Sequence, residues 1–158
     1  MARFALHVWN RDHVKVPVMM SRADRLDLAI TAVSQWQTDW TSEYITASQF
    51  AVYALKTGKG ELVALGAYEV QEDILTVHII YMEGQAKSNP TRTAVPKYRG
   101  IGRVMVAYGI KLSVDAGFNG DVTLDAKTSE LARHYERDFC AFRVPGRTRD
   151  AAPRYLIL

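Results

Sequence analysis

Three extended apolar segments follow one another in this chain, Phe50 to Lys56, Glu61 to Val70 and Ile74 to Glu83, and only short polar stretches separate them. Aromatic and β-branched residues dominate them, which is strand composition. Thr57-Gly58-Lys59-Gly60 and Gln71-Glu72-Asp73 carry turn chemistry and are far too short to hold a crossover helix. The three segments must therefore pair as an antiparallel meander, and the rest of the chain has to cover it. A first strand is expected from Phe4 to Trp9. A helix is expected from about Arg22 to Thr38, with Ser21 as its N-cap, Asp24 in its first turn and Leu26, Ile30 and Val33 at helical spacing. A shorter helical piece follows around Thr41 to Ala47.

Downstream, Val104, Met105, Tyr108 and Leu112 mark one side of a helix that Gly117 stops. Asp121 to Ala126 reads as a strand. Thr128 or Ser129 caps a further helix through about Asp138, with Leu131, Ala132, Tyr135 and Phe139 on its apolar face. Pro145 and Gly146 turn the chain into a last strand, Arg154 to Leu158. With no internal repeat or linker, the order predicts a mixed α+β fold, a central sheet flanked by helices, as one domain over residues 1–158.

Composition narrows the function classes. Hydrophobic residues make up 48% and charged residues 23%, enough apolar surface for a packed core and too little charge for a disordered chain. No apolar run approaches the ~20 residues of a membrane span, and Arg3, His7 and Arg11 interrupt the opening stretch, so a cytoplasmic protein with no membrane partner is expected. The single cysteine, Cys140, has no internal partner and reads as a packing thiol. His7, His13, His78 and His134 show no ligand spacing, and no metal is expected.

Charge is more informative by position than in sum. The formal net charge is +3, yet Gly84 to Val114 contains no acid and six bases, Lys87, Arg92, Lys97, Arg99, Arg103 and Lys111. An anionic ligand is expected there. Within this window Gly100-Ile101-Gly102 opens a helix. Free N–H groups and the helix dipole favour an anion at such a start, glycines let phosphate approach the backbone, and Arg99 and Arg103 add charge-assisted donors. A dinucleotide fingerprint needs a further glycine where Met105 stands, and a Walker A loop needs Gly-Lys-Ser/Thr, so both are excluded. A tight turn before an ordinary helix is the plain alternative. A second basic group, Arg143, Arg147, Arg149 and Arg154, reads as a solvated face.

Ala94-Val95-Pro96-Lys97-Tyr98-Arg99-Gly100-Ile101-Gly102 resembles the pyrophosphate loop of the GNAT superfamily of acetyl-CoA-dependent N-acetyltransferases, whose motif runs Val-x-Pro-x-Tyr-Arg-Gly-x-Gly-x-Gly. Leu131 to Arg137, followed by Phe142, is similar to that family's later helix with its Tyr-Glu-Lys. The resemblance covers residues 50–158. The loop departs from it in being two residues shorter between Pro96 and Gly102, with Lys97 at the family's first Gln/Arg position, and the link from Glu83 to Pro96 is long.

The resemblance implies transfer of an acetyl group from acetyl-CoA (coenzyme A) to an amine acceptor by direct attack, in a monomer or homodimer. It assigns coenzyme binding to Val95, Lys97, Tyr98, Arg99, Gly100, Ile101, Gly102 and Arg103. Tyr135 stands where the family has the tyrosine that protonates the departing sulfur, with packing on the sheet as its alternative. Glu83 ends the third strand, where a carboxylate either deprotonates the amine or is simply solvated. A rival from another class is a non-catalytic GNAT-like domain that binds a partner or nucleic acid through its basic surfaces. Nucleic acid is the less favoured partner.

Overall fold

The computed structural model of the chain describes residues 5–33, 35–46, 50–90, 92–126, 128–145 and 152–157. Their strands are β1 (Leu6–Asn10), β2 (Lys15–Arg22), β3 (Ala51–Thr57), β4 (Leu62–Gln71), β5 (Thr76–Gly84), β6 (Tyr98–Arg99), β7 (Val122–Asp125), β8 (Phe142–Arg143) and β9 (Arg154–Ile157). The helices are α1 (Arg25–Val33), α2 (Glu43–Thr46), α3 (Ile101–Asp115) and α4 (Ser129–Phe139), with one 3-10 turn at Ala86–Ser88. The expected α+β fold is observed, as a nine-stranded mixed sheet in the order β6-β1-β2-β3-β4-β5-β7-β9-β8. Two compact units divide the chain, Met1–Ala67 with Tyr81–Met105, and Tyr68–Ile80 with Val106–Leu158.

In the first unit β1 and β2 form a hairpin with Leu6 opposite Val18 and Trp9 opposite Lys15. Asn10 shapes the turn, its Oδ1 accepting the N–H groups of Asp12 at 2.9 Å and Val14 at 3.0 Å. β2 continues onto β3, Val18 opposite Thr57 and Arg22 opposite Tyr53. The link from β3 to β4 turns at Gly60, whose φ of +86° suits glycine. α1 starts on a reciprocal cap in which Asp24 Oδ1 accepts the Asp27 N–H at 2.8 Å and Asp27 Oδ2 accepts the Asp24 N–H at 3.0 Å. Asp27 is buried, and its other oxygen meets Lys56 Nζ of β3 at 2.6 Å, which ties the helix to the sheet. Val8, Ala54, Leu55, Val63, Ala64 and Leu65 are fully enclosed.

The second unit contains a parallel pair. Val77, His78 and Ile79 of β5 lie opposite Val122, Thr123 and Leu124 of β7, and β7 pairs antiparallel with β9. Gly109 of α3 lets that helix lie close, since an added Cβ would stand 3.3 Å from Ile79 Cδ1 and 3.4 Å from Tyr68 Cε1. α4 begins at Thr128, whose side chain accepts the Leu131 N–H. It ends at Cys140 in the left-handed region, φ +50°.

Several boundaries differ from the expected ones. Helix α1 covers Arg25–Val33 rather than Arg22 to Thr38, and its cap is Asp24, because Ser21 and Arg22 belong to β2. β2 itself was not foreseen: Pro17 breaks its pattern, yet the β2–β3 ladder begins at Val18, so the missing N–H interrupts no bond there. The two-residue strands β6 and β8 are too short to show a period. Cys140 is exposed rather than packed. Phe4, Ala47, Gly146 and Leu158, which bounded expected elements, lie outside the described residues.

Asp27 joins a helix cap to a cross-element ion pair, so Asp27→Ala should cost about 2 kcal/mol by removing the cap acceptor and unpairing Lys56. Chemical denaturation measures it, and a change below about 0.5 kcal/mol is the outcome expected of an ordinary surface site.

Candidate functional site

Hydrogen bonds tie the described residues of the basic glycine segment where the chain leaves the sheet. The Gln85 N–H donates to the Val63 carbonyl at 2.8 Å, and the chain then makes its 3-10 turn. On its return the Lys97 N–H donates to the Lys87 carbonyl at 2.9 Å and the Tyr98 N–H to Ser88 Oγ at 3.0 Å. Tyr98 and Arg99 then pair as β6 with Asn10 and Trp9 of β1. The long link from Glu83 to Pro96 is thus tied down by hydrogen bonds where it leaves the sheet and where it returns.

A residue outside the expected site holds this segment. Glu61, just before β4, accepts hydrogen bonds from Lys97 Nζ at 2.7 Å, Tyr98 Oη at 2.8 Å and Gln85 Nε2 at 3.1 Å. Burial by itself would raise its carboxyl, but the bonds from Lys97, Tyr98 and Gln85, with the Lys97 charge, outweigh that and hold it below the ordinary value of 4.5. Tyr98 is pushed up to about 12 by burial and by its bond to the Glu61 carboxylate. Lys97 and Tyr98 thus point to Glu61. No local spacing links residue 61 to 97 and 98, so only the fold shows the cluster.

Beyond β6 the backbone turns at Gly100, φ +89°, into α3. The Val104 N–H bonds the Gly100 carbonyl at 3.2 Å, and among the described residues no acceptor is found for the N–H groups of Ile101, Gly102 and Arg103. No atom lies within 4 Å of a Cβ built on Gly102, while one on Gly100 would meet Trp9 Cδ1 at 3.7 Å. Arg99 and Arg103 are exposed on either side. Open backbone donors, a glycine with clear space above it and two cations are the donor set that a diphosphate needs. Val95 is 53% exposed, and its carbonyl accepts from Arg11 Nη2 at 3.2 Å.

Glu83 is not a solvated strand end. Its Oε2 accepts the Gln37 N–H at 2.5 Å, and its Oε1 accepts the Thr38 N–H at 3.2 Å and the Trp40 indole N–H at 3.0 Å. Thr31 Oγ1 takes the Trp40 N–H at 2.9 Å, and Arg92 Nη1 donates to the Gln35 carbonyl. Glu83, Thr31 and Arg92 therefore position the chain between α1 and α2, in which Trp40 is 1% exposed.

Tyr135 belongs to the second unit. It is buried, its ring centroid 6.1 Å from that of Tyr155 and 6.3 Å from that of Phe139. Burial, and then the charge of Asp125, push its phenol upward. Arg154 of the second basic group is not solvated but grips Asp125 at 2.8 and 3.3 Å. Arg147 and Arg149 lie outside the described residues.

Because the Glu61 carboxyl is held below its unfolded value, its contribution to stability is present above pH 4.5 and is lost as pH falls through the lowered folded value. The stability gap between wild type and Glu61→Gln should stay constant near neutrality and close at more acid pH. Denaturant titrations from about pH 3 to 7 read this directly, and a gap that does not change with pH removes the charged network.

No protein-family model matches the sequence, and neither does any curated protein. Solved structures do match. A GNAT-family acetyltransferase from Listeria monocytogenes 4b F2365 superimposes with a TM-score of 0.57 at 10% identity, covering 89% of this chain and 94% of that one. Spermidine/spermine N-acetyltransferase SpeG from Vibrio cholerae, solved in complex with manganese ions, gives 0.57 at 11% identity over 89% and 92%. A GCN5-related N-acetyltransferase from Kribbella flavida gives 0.54 at 14% identity over 88% and 95%. At these identities the likeness is one of backbone architecture, and it agrees with the order of elements around α3: the chain has the GNAT acetyltransferase fold.

Proposed function

We propose that this chain is an acetyl-CoA-dependent N-acetyltransferase, binding the coenzyme through the segment from Val95 to Arg103 and acetylating an amine by direct attack. The observation that supports it most is the first turn of α3, where among the described residues the N–H groups of Ile101, Gly102 and Arg103 have no acceptor and two exposed arginines stand beside them. The GNAT fold makes a coenzyme A diphosphate the natural anion for those donors. Bound coenzyme would supply a thioester-activated acetyl group, which leaves binding, charge stabilisation and proton movements to the chain.

Two side chains are proposed for the protons. The Tyr135 phenol has a raised pKa and so stays protonated at neutral pH, as a donor to a departing thiolate must. Glu83 is the proposed acceptor for the amine proton. Its Oε2 takes one hydrogen bond in the structure and keeps lone-pair capacity for another.

Coenzyme binding is tested by calorimetry on Gly102→Val, whose helical backbone and clear surroundings let valine fit without strain. The dissociation constant should rise about tenfold or more at unchanged melting temperature, and Arg103→Glu should weaken binding and flatten its salt dependence. Unaltered affinity in both variants refutes the coenzyme assignment. Wild-type protein that ignores coenzyme A but binds nucleic acid in a salt-dependent way supports the non-catalytic reading.

Turnover at saturating acetyl-CoA tests the proton roles. Tyr135→Phe should lower kcat by about 10²-fold with coenzyme affinity intact. Glu83→Gln should remove the acidic limb of the pH–rate profile; an acid that only anchors residues 37–40 would leave that limb in place and lower the melting temperature.

A further inference from the structure

Six bases crowd the acid-free window, and Lys97 is one of three, with Arg99 and Arg103, that the loop resemblance assigns to the coenzyme. The fold sends it elsewhere. Lys97 Nζ lies 2.7 Å from Glu61 Oε2 and 5.4 Å from the Tyr98 ring centroid, while Tyr98 Oη takes the other Glu61 oxygen at 2.8 Å. Gln85, 7% exposed, adds its amide to the same carboxylate. These bonds join the start of β4 to the segment whose next residues are β6 and the open N–H groups of α3. We infer that Glu61 is the positioning residue of the coenzyme site, and that Lys97 and Tyr98 serve it as loop anchors rather than as phosphate ligands.

The inference rests on the coenzyme reading, and its physical basis is the pairing of charge. A lysine whose ammonium neutralises a partly buried carboxylate has little net field left for a phosphate, whereas Arg99 and Arg103 are exposed beside the open donors. Depression of the Glu61 carboxyl by Lys97, Tyr98 and Gln85 against its burial is consistent with a bonded anion in the folded chain. With the anchor intact, Gly100 holds its φ of +89° and α3 starts in one place, so the three N–H groups converge before any ligand arrives.

The two possible roles of Lys97 predict opposite signs. Coenzyme A affinity is measured by calorimetry over a range of salt concentrations for wild type, Glu61→Gln, Lys97→Met and the double variant. An anchor requires that Glu61→Gln and Lys97→Met each weaken binding, by about tenfold for a lost charged hydrogen bond. The salt slope of Lys97→Met should equal that of wild type, and adding Glu61→Gln to Lys97→Met should restore part of the affinity by removing the stranded charge. A direct phosphate ligand requires that Glu61→Gln tighten binding by freeing the lysine, that Lys97→Met flatten the salt slope, and that the double variant match Lys97→Met; that result overturns the inference. If wild type binds no coenzyme A, the functional reading falls by itself. Thermal melting of the same four proteins then decides the anchor, which stands if the double variant loses less than the sum of the single losses and falls if the losses simply add.

Discussion

A carboxylate taken out of water has to be given donors, and two of them at one end of the sheet organise the irregular chain around them. Glu61 precedes β4 and Glu83 is near the end of β5; the bond from the Gln85 N–H to the Val63 carbonyl puts these two ends side by side. Glu83 collects the backbone of Gln37 and Thr38 and the indole of Trp40. Glu61 collects Gln85, Lys97 and Tyr98. Segments with no period of their own are thereby fixed by long-range bonds, and they are the segments that carry the candidate chemistry.

The same bonds revise the electrostatics. Counting charges along the chain makes Gly84 to Val114 uniformly basic. In the fold Glu61, just before β4, neutralises Lys97, Asp115 meets Lys111 at 2.6 Å, and Arg92 reaches the Gln35 carbonyl. Of the bases left without a carboxylate partner among the described residues, Arg99 and Arg103 are the two exposed next to the open end of α3. A broad basic stretch suits a long polyanion, whereas two guanidiniums around three N–H groups suit a compact diphosphate, and that contrast is the charge argument behind the proposed coenzyme.

What could be read from the residues follows from what is local. The meander between residues 50 and 84, the Thr128 cap, α3 and its stop at Gly117, and the glycine turn at Gly100 all rest on near-neighbour patterns, and all appear in the structure. β2 was hidden because Pro17 falls within it, opposite His7 in the β1–β2 ladder but one residue before the β2–β3 ladder begins, a fact about pairing rather than sequence. The Asp24–Asp27 cap was missed for Ser21 because both positions carry cap-forming side chains, and the choice depends on where β2 ends. Glu61 gave no signal, since its partners lie 24 to 37 positions away.

The shortened loop has a physical resolution in the same contacts. Glycine-rich loops meet a diphosphate by letting several residues adopt conformations that side chains resist, at the cost of ordering a floppy segment. Here Val104 and Met105, at positions where further loop glycines would fall, are 5% and 1% exposed and belong to the core. Glycine at either would leave a cavity under the start of α3. Rigidity comes instead from outside the loop, from β6 pairing with β1 and from the Glu61 anchor, so that one positive φ at Gly100 and one bare surface at Gly102 are enough to present the donors. On the proposed coenzyme reading, fewer glycines mean less entropy to lose on binding, and the shorter loop makes a better organised anion site rather than a degraded one.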